Sequence, residues 1–450
     1  MQIRSILLAA GQGTRMRSNL PKVLHPLLGK PLVWYAVETA KKVSASKPVV
    51  VIGHGADEVR QALGDSVDYV LQEQRLGTGH AVMQAAEQLK GQSDLVLVTY
   101  GDMPLITVET LNQLVETHST HEGPITMATI VSPDPRGFGR ILRAETGQVL
   151  AIVEEAQATP EQLLVQELNP GVYCFDASWL WDALEQIPLS PKGEYYLTDL
   201  VGIAVEQGLW VQAVPVGDPD EMIGINTRVD LADANTVMQR RINQAWMLAG
   251  VTMVDPGAVY IEPEVQIGRD TVLWPGTHLQ GDARIGESCE LGPNTIIRNS
   301  QVGNGCVILS SLLEGAVLED DVDMGPFARL RKGAHLARGV HMGNFGEVKN
   351  SYLAPGVKMG HFSYIGDATI GENVNIGAGT ITCNYDGKKK YPTVIEKDAF
   401  IGSDTMLVAP VKIGERARTG AGSVVTHDVE PDTLVLGIPA RSRQTKDHAS

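Results

Sequence analysis

The chain has 450 residues, which predicts about three domains of ordinary size, or two if one of them is elongated. Its 37 Lys and Arg against 53 Asp and Glu give a formal net charge of −16, and this acidic balance argues against a nucleic-acid-binding protein. Hydrophobic residues make up 43% of the chain, enough for a sizeable core, but no apolar run approaches the ~18 to 20 residues that a membrane span needs.

The cysteines and the first apolar stretch bear on the cellular compartment. Cys174, Cys289, Cys306 and Cys383 are scattered without paired metal-ligand spacing, which argues against a disulfide framework or a zinc site. The stretch 6–10 is shorter than the ~7 to 15 apolar residues of a signal peptide, so we expect a buried first strand there. These features predict reduced thiols and a cytoplasmic protein.

The first half of the chain, to about Val214, alternates short β-branched runs with helical patterns. The runs at 5–9, 48–53 and 94–99 predict strands buried on both faces, as in a mostly parallel sheet. The segments 31–38 and 77–89 predict helices between the strands. We therefore predict a doubly wound, Rossmann-like α/β fold whose ligand site lies beyond the carboxyl ends of the strands.

The second half follows a six-residue period. Segment 226–249 predicts one long helix that Gly250 ends. After it, aliphatic residues recur at every sixth position, first at Ile261, Ile267, Leu273, Leu279, Ile285, Leu291 and Ile297. This period, with glycine at the turns, predicts a left-handed parallel β-helix, with ordinary sandwich strands as the alternative. We expect domains at 1–225 and 251–440, a linker helix at 226–250 and a polar tail at 441–450, disordered from Ser442 onward.

A glycine-rich turn follows the first strand, with Gly11 and Gly13 in the turn and Arg15 and Lys22 close behind. Such a turn exposes backbone N–H groups to an anion, and the two cations add positive charge, so the segment predicts phosphate binding. The third glycine of a dinucleotide fingerprint and the Gly-Lys-Ser/Thr of a Walker loop are both absent. A plain strand-to-helix turn is the alternative.

The run Leu-Ala-Ala-Gly-Gln-Gly-Thr-Arg-Met at 8–16, followed by Pro-Lys at 21–22, resembles the signature of the sugar-phosphate nucleotidyltransferases. The segments 72–81 and 100–105 look like that family's base-reading and metal-binding segments for uridine. Backbone amides at Gly77 and Thr78, with the nearby Gln72, are suited to reading a pyrimidine edge. A plain helix cap is the alternative for Gly77 and Thr78.

The same resemblance implies a magnesium site and two substrate pockets. Asp102, just past an apolar strand, and Asn226 match the family's Mg²⁺ ligands, and Mg²⁺ needs only one or two protein oxygens when phosphates and water complete its shell. Without the motif, a solvated or capping role for Asp102 is the alternative. The residues matched to UTP and N-acetylglucosamine 1-phosphate are Leu8, Ala9, Ala10, Gly11, Lys22, Gln72, Gly77, Thr78, Gly139, Glu154, Asn169 and Asn226, with Arg15 and Lys22 as catalytic cations.

The β-helix resembles the hexapeptide acyltransferases on the segments 325–331, 341–349, 360–368 and 375–387. Acetyl transfer to a sugar amine needs a base that titrates near neutral pH, and His361 is the candidate, with a plain surface histidine as the alternative. The family's contacts to glucosamine 1-phosphate fall on Arg331, Lys349, Tyr364, Asn375 and Lys390. Its contacts to acetyl-CoA fall on Ala378, Asn384, Tyr385, Ser403 and Ala421.

Three further features of this half qualify the resemblance. The amine can attack the thioester directly, so Cys383 is interpreted as a small buried hydrophobe rather than a nucleophile. The lysine-rich loop 382–392 interrupts the six-residue period, and such interruptions tend to lie on the binding face of a solenoid. The family's carboxyl-terminal arginine for coenzyme A stands a few residues later here, at Arg441, which leaves the role of Arg441 open.

The two halves together resemble the bifunctional bacterial family that combines N-acetylglucosamine-1-phosphate uridyltransferase with glucosamine-1-phosphate acetyltransferase. The resemblance implies that acetyl-CoA acetylates glucosamine 1-phosphate on the β-helix, after which the first domain transfers uridylyl from UTP. The product is UDP-N-acetylglucosamine, for cell-wall and lipopolysaccharide synthesis. The resemblance also implies a homotrimer with acetyltransferase sites between subunits.

Two alternatives stay open at this point. One is a single-activity sugar-1-phosphate nucleotidyltransferase whose β-helix only oligomerises, and Arg331, Lys349, His361 and Asn384 together argue against it. The other is a non-catalytic trimeric scaffold with a vestigial phosphate loop, which the intact set of Arg15, Lys22 and Asp102 disfavours.

Overall fold

The computed structural model describes residues 1–135 and 137–443 of the chain. These residues form two compact units, unit 1 from Met1 to Met238 and unit 2 from Gln239 onward. Unit 1 combines a sheet with helices, and unit 2 is built almost entirely from short strands.

The elements of unit 1 follow the predicted alternation of strands and helices. Its strands are β1 (Ile3–Leu8), β2 (Pro26–Leu27), β3 (Lys30–Pro31), β4 (Val49–Ile52), β5 (Asp68–Leu71), β6 (Leu95–Tyr100), β7 (Ile125–Val131), β8 (Gly139–Arg143), β9 (Val149–Val153), β10 (Glu167–Asn169), β11 (Tyr173–Asp176) and β12 (Val211–Pro215). Its helices are α1 (Leu32–Val43), α2 (Ala56–Leu63), α3 (Thr78–Met83), α4 (Ala86–Leu89), α5 (Val108–Ser119), α6 (Ala177–Leu184), α7 (Asp199–Glu206) and the first part of α8 (Arg228–Leu248).

One half of the sheet in unit 1 is parallel, in the order β5-β4-β1-β6. Successive residues of β1 point to opposite sides, so that Ile6 and Leu8 pack into one core cluster. Leu7 packs into another cluster, together with Val33 and Val37 of α1. Because both faces are covered, continuous β-branched runs are stable there, and the predicted doubly wound α/β fold is confirmed.

The other half of the sheet is largely antiparallel, and here the expectation of a mostly parallel sheet was wrong. Strand β11 runs antiparallel to β6 and β7, and β10, β8 and β9 continue the antiparallel pairing. Apart from the local hairpin of β8 and β9, these strands pair with partners far away in the sequence, for example Glu167 with Val131, so no local pattern reveals their direction.

The segment 77–89 was predicted as one helix, and the structure divides it into α3 and α4. The backbone N–H of Ala85 donates to the carbonyl oxygen of Val82 at 3.0 Å, a bond to the third residue back that tightens the chain. Such a tight turn interrupts the regular α-helical ladder. As a result α3 stands as a separate short helix directly after Gly77.

Unit 2 is a parallel β-helix whose strands go to a first, a second and a third face in turn. The first face holds Thr252–Met253, Val272–Leu273, Glu290–Leu291, Val307–Ile308, Asp323–Met324, His341–Met342, Lys358–Met359, Asn375–Ile376, Phe400–Ile401, Arg418–Thr419, Leu434–Leu436 and Arg441–Arg443. The second face holds Val259–Ile261, Thr277–Gln280, Ile296–Arg298, Leu312–Glu314, Arg329–Leu330, Gly346–Lys349, Ser363–Gly366, Ile381–Cys383, Met406–Val408 and Val424–Val425. The third face holds Gln266–Ile267, Arg284–Ile285, Gln301–Val302, Val317–Leu318, Ala334–Leu336, Ser351–Leu353, Ala368–Ile370, Thr393–Ile395 and Val411–Ile413.

The six-residue period follows from this geometry. Ile261, Ile267 and Leu273 lie on the second, third and first face, and each points into the interior, where it is buried. One coil further, Leu279 pairs in register with Ile261 and stacks on it. Each face of each coil thus contributes an aliphatic side chain to one continuous core, and the predicted hexapeptide β-helix is confirmed.

The predicted long helix at 226–249 corresponds to α8, which ends before Gly250, whose φ is +99°. In unit 2, Asn243 of this helix donates to the carbonyl oxygens of Pro256 and Val259 at 2.7 and 2.9 Å. The predicted disorder was wrong for Ser442 and Arg443, which belong to the strand Arg441–Arg443 that runs antiparallel to Leu434–Leu436. The rest of that tail lies outside the described residues.

Candidate active sites

A cavity of about 450 Å³ lies at the carboxyl ends of strands β1, β5 and β6 in unit 1. It is lined by Leu8, Ala9, Ala10, Gly11, Gln12, Lys22, Val23, Gln72, Arg75, Gly77, Thr78, Ala81, Tyr100, Asp102, Glu194, Tyr196 and Asn226. We call it the nucleotide cavity. It brings together the candidate phosphate loop, the candidate base-reading segment and the candidate metal ligands, which are distant in the sequence.

The candidate phosphate loop leaves β1 and passes over the end of β4. The backbone N–H of Ala9 donates to Val51, and that of His54 donates to Ala10, at 2.9 and 3.2 Å. Gly13 has φ +63°, and a Cβ there would lie 2.5 Å from the Cβ of Lys22, so glycine is needed for Lys22 to approach. Arg15, in contrast, is exposed on a 3₁₀ turn and is not among the residues that line the cavity.

Lys22, Asp102 and Asn226 meet at one point of the cavity. The ammonium of Lys22 donates to Asp102 Oδ2 and, at 3.1 Å, to Asn226 Oδ1. The side chains of Lys22 and Asp102 are only 13% and 14% exposed, so the pair is largely shielded from water. Asn226 is held by its own backbone, which donates to Asp230 at 3.0 Å.

This point fits a divalent cation. Two side-chain oxygens, one of them charged, converge on the position where the Lys22 ammonium now supplies the positive charge. Within 1–135 and 137–443, no three His, Cys, Asp or Glu side chains are grouped to hold a metal by themselves. Mg²⁺ needs no such group, because it usually keeps water and binds substrate phosphates besides one or two protein oxygens.

Hydrogen bonds and close packing hold the candidate base-reading segment in place. Gln72 is 4% exposed, and its amide nitrogen donates to the carbonyl oxygen of Gly77 at 3.0 Å. Gly77 has φ +98°, and a Cβ there would lie 2.5 Å from the carbonyl oxygen of Tyr195. Thr78 accepts a hydrogen bond from the backbone of Leu197 at 3.0 Å. The segment is therefore clamped against the chain around 195–197.

A second cavity, of about 310 Å³, adjoins the first. We call it the sugar cavity, and it shares Thr78, Tyr100, Asp102, Tyr196 and Asn226 with the nucleotide cavity. The predicted sugar contacts Gly139, Glu154 and Asn169 line it. A ligand that spans both cavities would thus pass directly beside the Lys22, Asp102 and Asn226 cluster.

In the sugar cavity, burial changes the pKa of one polar group, and a hydrogen bond orients another. Desolvation raises the pKa of Glu154, and the nearby Asp199 acts in the same direction, while a hydrogen bond with Thr198 opposes them. The amide of Asn169 donates to the hydroxyl of Tyr173 at 2.7 Å, which fixes its orientation. A Cβ at Gly139 would lie 2.8 Å from Ile152, so this position has no room for a side chain.

Sequence reasoning missed several lining residues. Tyr100 stands in the Tyr-Gly-Asp motif that carried the resemblance, and burial raises its pKa far above the usual value. Tyr196 and Thr198 come from a segment without a recognisable motif, and only the packing of that segment on Gly77 brings them to the cavity.

In unit 2, the predicted residues fall on two different edges of the β-helix. His361 lies on the edge between the first and second faces, which we call edge 1–2. Ala378, Ser403 and Ala421 stand on successive coils along the same edge, linked by backbone hydrogen bonds from 379 to 362, from 404 to 378 and from 422 to 403. Asn375 lies on the first-face strand that leads into this edge. His361 is exposed.

The edge between the second and third faces, edge 2–3, carries a cluster of cations. Arg331 directly follows one second-face strand, and Lys349 is the last residue of the next one. Lys390 reaches the same place from the loop after Cys383. The Lys390 ammonium, both as a hydrogen-bond partner and as a like charge, and the Arg331 guanidinium lower the pKa of Lys349. Two carboxylates oppose these cations, namely Asp367 near the lysines and Glu347, which pairs with Arg331 at 3.0 Å. This is an arrangement suited to a phosphate dianion.

The loop at 384–392 is ordered by its own hydrogen bonds. Asp386 accepts from the backbones of Lys388 and Lys389 at 2.7 and 2.8 Å. The amide of Asn384 donates to Asp367 at 2.5 Å, and Tyr385 pairs with Lys390 across the loop. The loop thus holds Asn384 and Tyr385 on edge 2–3.

Tyr364, Cys383 and Arg441 complete the predicted set. A Cβ at Gly366 would lie 2.5 Å from the hydroxyl of Tyr364, which places Tyr364 beside edge 2–3. Cys383 is half-buried, and burial raises the pKa of its thiol. Arg441 lines a separate cavity of about 410 Å³ in the last coil, together with His427 and Glu430.

Comparison with known proteins agrees with two transferase parts. Residues 5–189 match the family model of the MobA-like NTP transferase domain, and residues 264–299 and 392–427 match that of the bacterial transferase hexapeptide with six repeats. The Bifunctional protein GlmU of Heliobacterium modesticaldum is 47% identical over 433 residues, which are 96% of this chain and 94% of the relative. The proteins of the same name from Exiguobacterium sp. and Caldanaerobacter subterraneus subsp. tengcongensis are 45% and 47% identical over 99% of this chain and over 98% and 96% of the relatives.

A nucleotidyltransferase domain joined to a hexapeptide transferase is therefore the class of protein that the fold defines. With such identities over nearly its whole length, the chain belongs to the GlmU family of bifunctional proteins. Its function is the predicted synthesis of UDP-N-acetylglucosamine by acetyl transfer and uridylyl transfer, and the single-activity alternative is not favoured. In the part of the chain that the structure describes, none of the helices is both long and apolar enough to cross a membrane.

Proposed function

We propose that the nucleotide and sugar cavities of unit 1 form the uridyltransferase site, and that Lys22, Asp102 and Asn226 mark its reacting centre. The observation that carries this proposal is that both cavities share Asp102 and Asn226, beside the Lys22 ammonium. The phosphate oxygen of N-acetylglucosamine 1-phosphate attacks the α-phosphorus of UTP, and pyrophosphate leaves. Catalysis then consists mainly of positioning and charge neutralisation.

Each group in unit 1 has a role in this proposal. The backbone from Leu8 to Gly11 and the ammonium of Lys22 hold the phosphates of UTP, and Arg15 adds positive charge. Gln72, Gly77 and Thr78 read the base, and Gly139, Glu154 and Asn169 bind the N-acetyl sugar. Mg²⁺ bound by Asp102 and Asn226 would supply further charge neutralisation at the phosphates.

For the β-helix we propose that His361 is the base for acetyl transfer. The amine of glucosamine 1-phosphate attacks the carbonyl carbon of acetyl-CoA, the carbon–sulfur bond breaks, and the imidazole of His361 takes the amine proton and passes it to the departing thiolate. Arg331, Lys349 and Lys390 bind the sugar phosphate, with Tyr364 and Asn375 on the sugar. Ala378, Asn384, Tyr385, Ser403 and Ala421 contact acetyl-CoA.

We further propose that the acetyltransferase is a homotrimer with its sites between subunits. The support is the separation of the residue sets, because His361, Asn375 and Ala378 lie along edge 1–2 whereas Lys349, Lys390 and Asn384 lie along edge 2–3. A complete site then needs edge 1–2 of one protomer against edge 2–3 of its partner. Light scattering of the active protein should give the mass of three chains, and an active monomer would refute the proposal.

The proposal also covers organisation and place in the cell. We assign the uridyltransferase domain to 1–225, the linker helix to 226–250 and the acetyltransferase domain to 251–440. Four free cysteines support a reducing, cytoplasmic location. There the product serves cell-wall and lipopolysaccharide synthesis.

The decisive experiment separates the two activities. Release of free thiol from acetyl-CoA is measured with glucosamine 1-phosphate and without UTP, and pyrophosphate release is measured with UTP, Mg²⁺ and N-acetylglucosamine 1-phosphate. Asp102→Ala should abolish only pyrophosphate release, and His361→Ala only thiol release. Loss of both activities in either folded variant would contradict two separate sites.

Arg15 and His361 can each be tested against a control residue of the same type in this chain. Arg15 and Arg17 are both exposed on the same turn, so Arg15→Ala should lower uridylyl transfer while Arg17→Ala should leave it unchanged. His341, exposed on the first face, serves the same purpose for His361. Equal losses in a pair would mean that the assigned residue has no special role.

A further inference from the structure

A partly buried hydrogen-bond network behind the base-reading segment connects Gln72 to a histidine that the proposed function does not use. The amide nitrogen of Gln72 lies 3.0 Å from the carbonyl oxygen of Gly77 and 3.1 Å from Nδ1 of His80. Gln72 itself is anchored by its backbone N–H, which donates to Ile52 at 2.8 Å. His80 is in α3, and its ring stacks on Tyr195 with centroids 6.4 Å apart.

The network fixes the orientation of the Gln72 amide. A carbonyl oxygen only accepts, so the side-chain atom facing Gly77 must be the nitrogen of Gln72. That nitrogen has a second hydrogen, and Nδ1 of His80 is placed to accept it, which leaves the ring proton of a neutral His80 on Nε2. Burial lowers the pKa of His80, which favours the neutral form of the ring.

Gln84, on the other side of the ring, also presents its amide nitrogen to His80, although a neutral imidazole accepts at only one of its two nitrogens. Its amide nitrogen lies 3.2 Å from Nε2 of His80 and donates to the backbone carbonyl oxygen of His80 at 3.1 Å. Gln84 is half-exposed, so its amide can exchange partners with water, whereas Gln72 is 4% exposed and cannot. Gln72 therefore decides which nitrogen of His80 accepts.

With both amide hydrogens of Gln72 used, only its Oε1 remains for a ligand, and an oxygen there can only accept. Uracil presents an N3–H donor between two carbonyl acceptors, whereas cytosine presents an unprotonated N3. In the residues that the structure describes, the backbone N–H groups of Gly77 and Thr78 donate no hydrogen bond, so they are available to a carbonyl oxygen of the base.

We propose that His80 is a positioning residue for base specificity, which accepts a hydrogen bond from Gln72 and thereby holds the Gln72 oxygen toward N3–H of uracil. The inference rests on the proposed function, because it assumes that Gln72 reads the base. His80 does not touch the nucleotide and acts only through Gln72. A site built to pair with one donor pattern discriminates strongly against a base that leaves its buried polar groups unpaired.

The test compares UTP with CTP as nucleotide donors, by pyrophosphate release from the full chain with Mg²⁺ and N-acetylglucosamine 1-phosphate. His80→Phe keeps a ring beside Tyr195 and removes the acceptor, so the ratio of kcat/KM for UTP over CTP should fall about tenfold, mainly through KM. His80→Asn places an amide oxygen close to the position of Nδ1 and should restore most of the ratio. Gln84→Ala, which leaves Nδ1 and Gln72 intact, should not change the ratio.

A double variant distinguishes positioning from a merely structural role. In a Gln72→Ala background the ratio is already reduced, and His80→Phe should then add nothing to the loss. An unchanged ratio in His80→Phe, or the same further loss in the Gln72→Ala background, would overturn the inference. If the unsubstituted protein itself accepts CTP as readily as UTP, the base-reading role of Gln72 is refuted, which is a failure of the proposed function.

Discussion

The stability of unit 1 in mild acid should depend on a buried histidine, His118, which one threonine joins to the partly buried His121. The backbone N–H of Gly123 donates to Nδ1 of His121 at 2.8 Å, so the ring proton of His121 is on Nε2 and is donated to the hydroxyl of Thr126 at 2.7 Å. The hydroxyl of Thr126 in turn donates to Nδ1 of His118 at 2.9 Å. A proton on Nδ1 of His118 would point at the hydroxyl hydrogen of Thr126. Water is excluded from this place, because Thr126 and His118 are 0% and 6% exposed, so the repulsion is not relieved by solvent.

The magnitude follows from the pKa of His118. Burial, aided by the neighbouring His121, lowers this pKa from 6.5 to about 4. Since the folded pKa lies below the unfolded one, the stabilisation is fully present above pH 6.5 and is lost as the pH falls toward about 4. The full effect is about 3 kcal/mol, of which about 2 kcal/mol should appear between pH 7 and pH 5.

The assay is hydrogen exchange of the full chain, read by mass spectrometry on the amides of β7 at several pH values. His118→Asn keeps an acceptor for Thr126 but cannot be protonated. Between pH 7 and pH 5 the free energy of opening should therefore fall by about 2 kcal/mol less in this variant than in the unsubstituted protein. Amides of Gly346–Lys349 in unit 2 serve as the internal control. Parallel pH profiles of β7 in the two proteins would refute this reasoning.

Three further predictions test other parts of the molecule. Gly77 has φ +98°, and an added Cβ would lie 2.5 Å from a backbone oxygen. Gly77→Ala should therefore lower the free energy of unfolding of unit 1 by about 2 kcal/mol or more and raise KM for UTP. As the control, Gly202→Ala, in a helix with open space around it, should lower neither stability nor UTP affinity. Leu330→Ala removes a fully buried side chain from the β-helix core and should cost about 3 kcal/mol in denaturant unfolding, and a cost below ~1 kcal/mol would contradict the packing. Lys390→Met removes the ammonium that lowers the pKa of Lys349, so the pKa of Lys349 should rise, as measured by NMR of labelled lysines. An unchanged pKa would mean that the two side chains do not interact.

The β-helix was predictable because its period is a direct consequence of its shape. Each face of each coil needs one inward aliphatic, so Ile261, Ile267 and Leu273 had to stand six residues apart. The antiparallel half of unit 1 was not predictable in this way. Apart from the β8–β9 hairpin, its pairs, such as Glu167 with Val131, are formed across long stretches of chain, and neither strand carries a signal of the other.

Among the candidate site residues, too, some could be predicted from the sequence and others could not. Residues that follow a strand directly, such as Gly11 and Asp102, could be predicted because the carboxyl ends of parallel strands meet at one edge. Tyr196 reaches the nucleotide cavity only because its segment packs on Gly77, a tertiary contact that leaves no mark in the sequence. The prediction for Arg15 rests on charge and motif alone, and it stays a prediction, since the structure leaves Arg15 outside the cavity lining.

The loop at 384–392 has a consequence for how such a protein can change over time. In the third face Ala334 pairs with Ser351, 17 positions later, and Ala368 pairs with Thr393, 25 positions later, yet both pairs are in ordinary register. The ladder resumes after the loop as though the added residues were absent. New binding loops can therefore be gained, lengthened or exchanged at this edge by insertion alone, and the scaffold remains free to acquire a different acceptor specificity without redesign of its core.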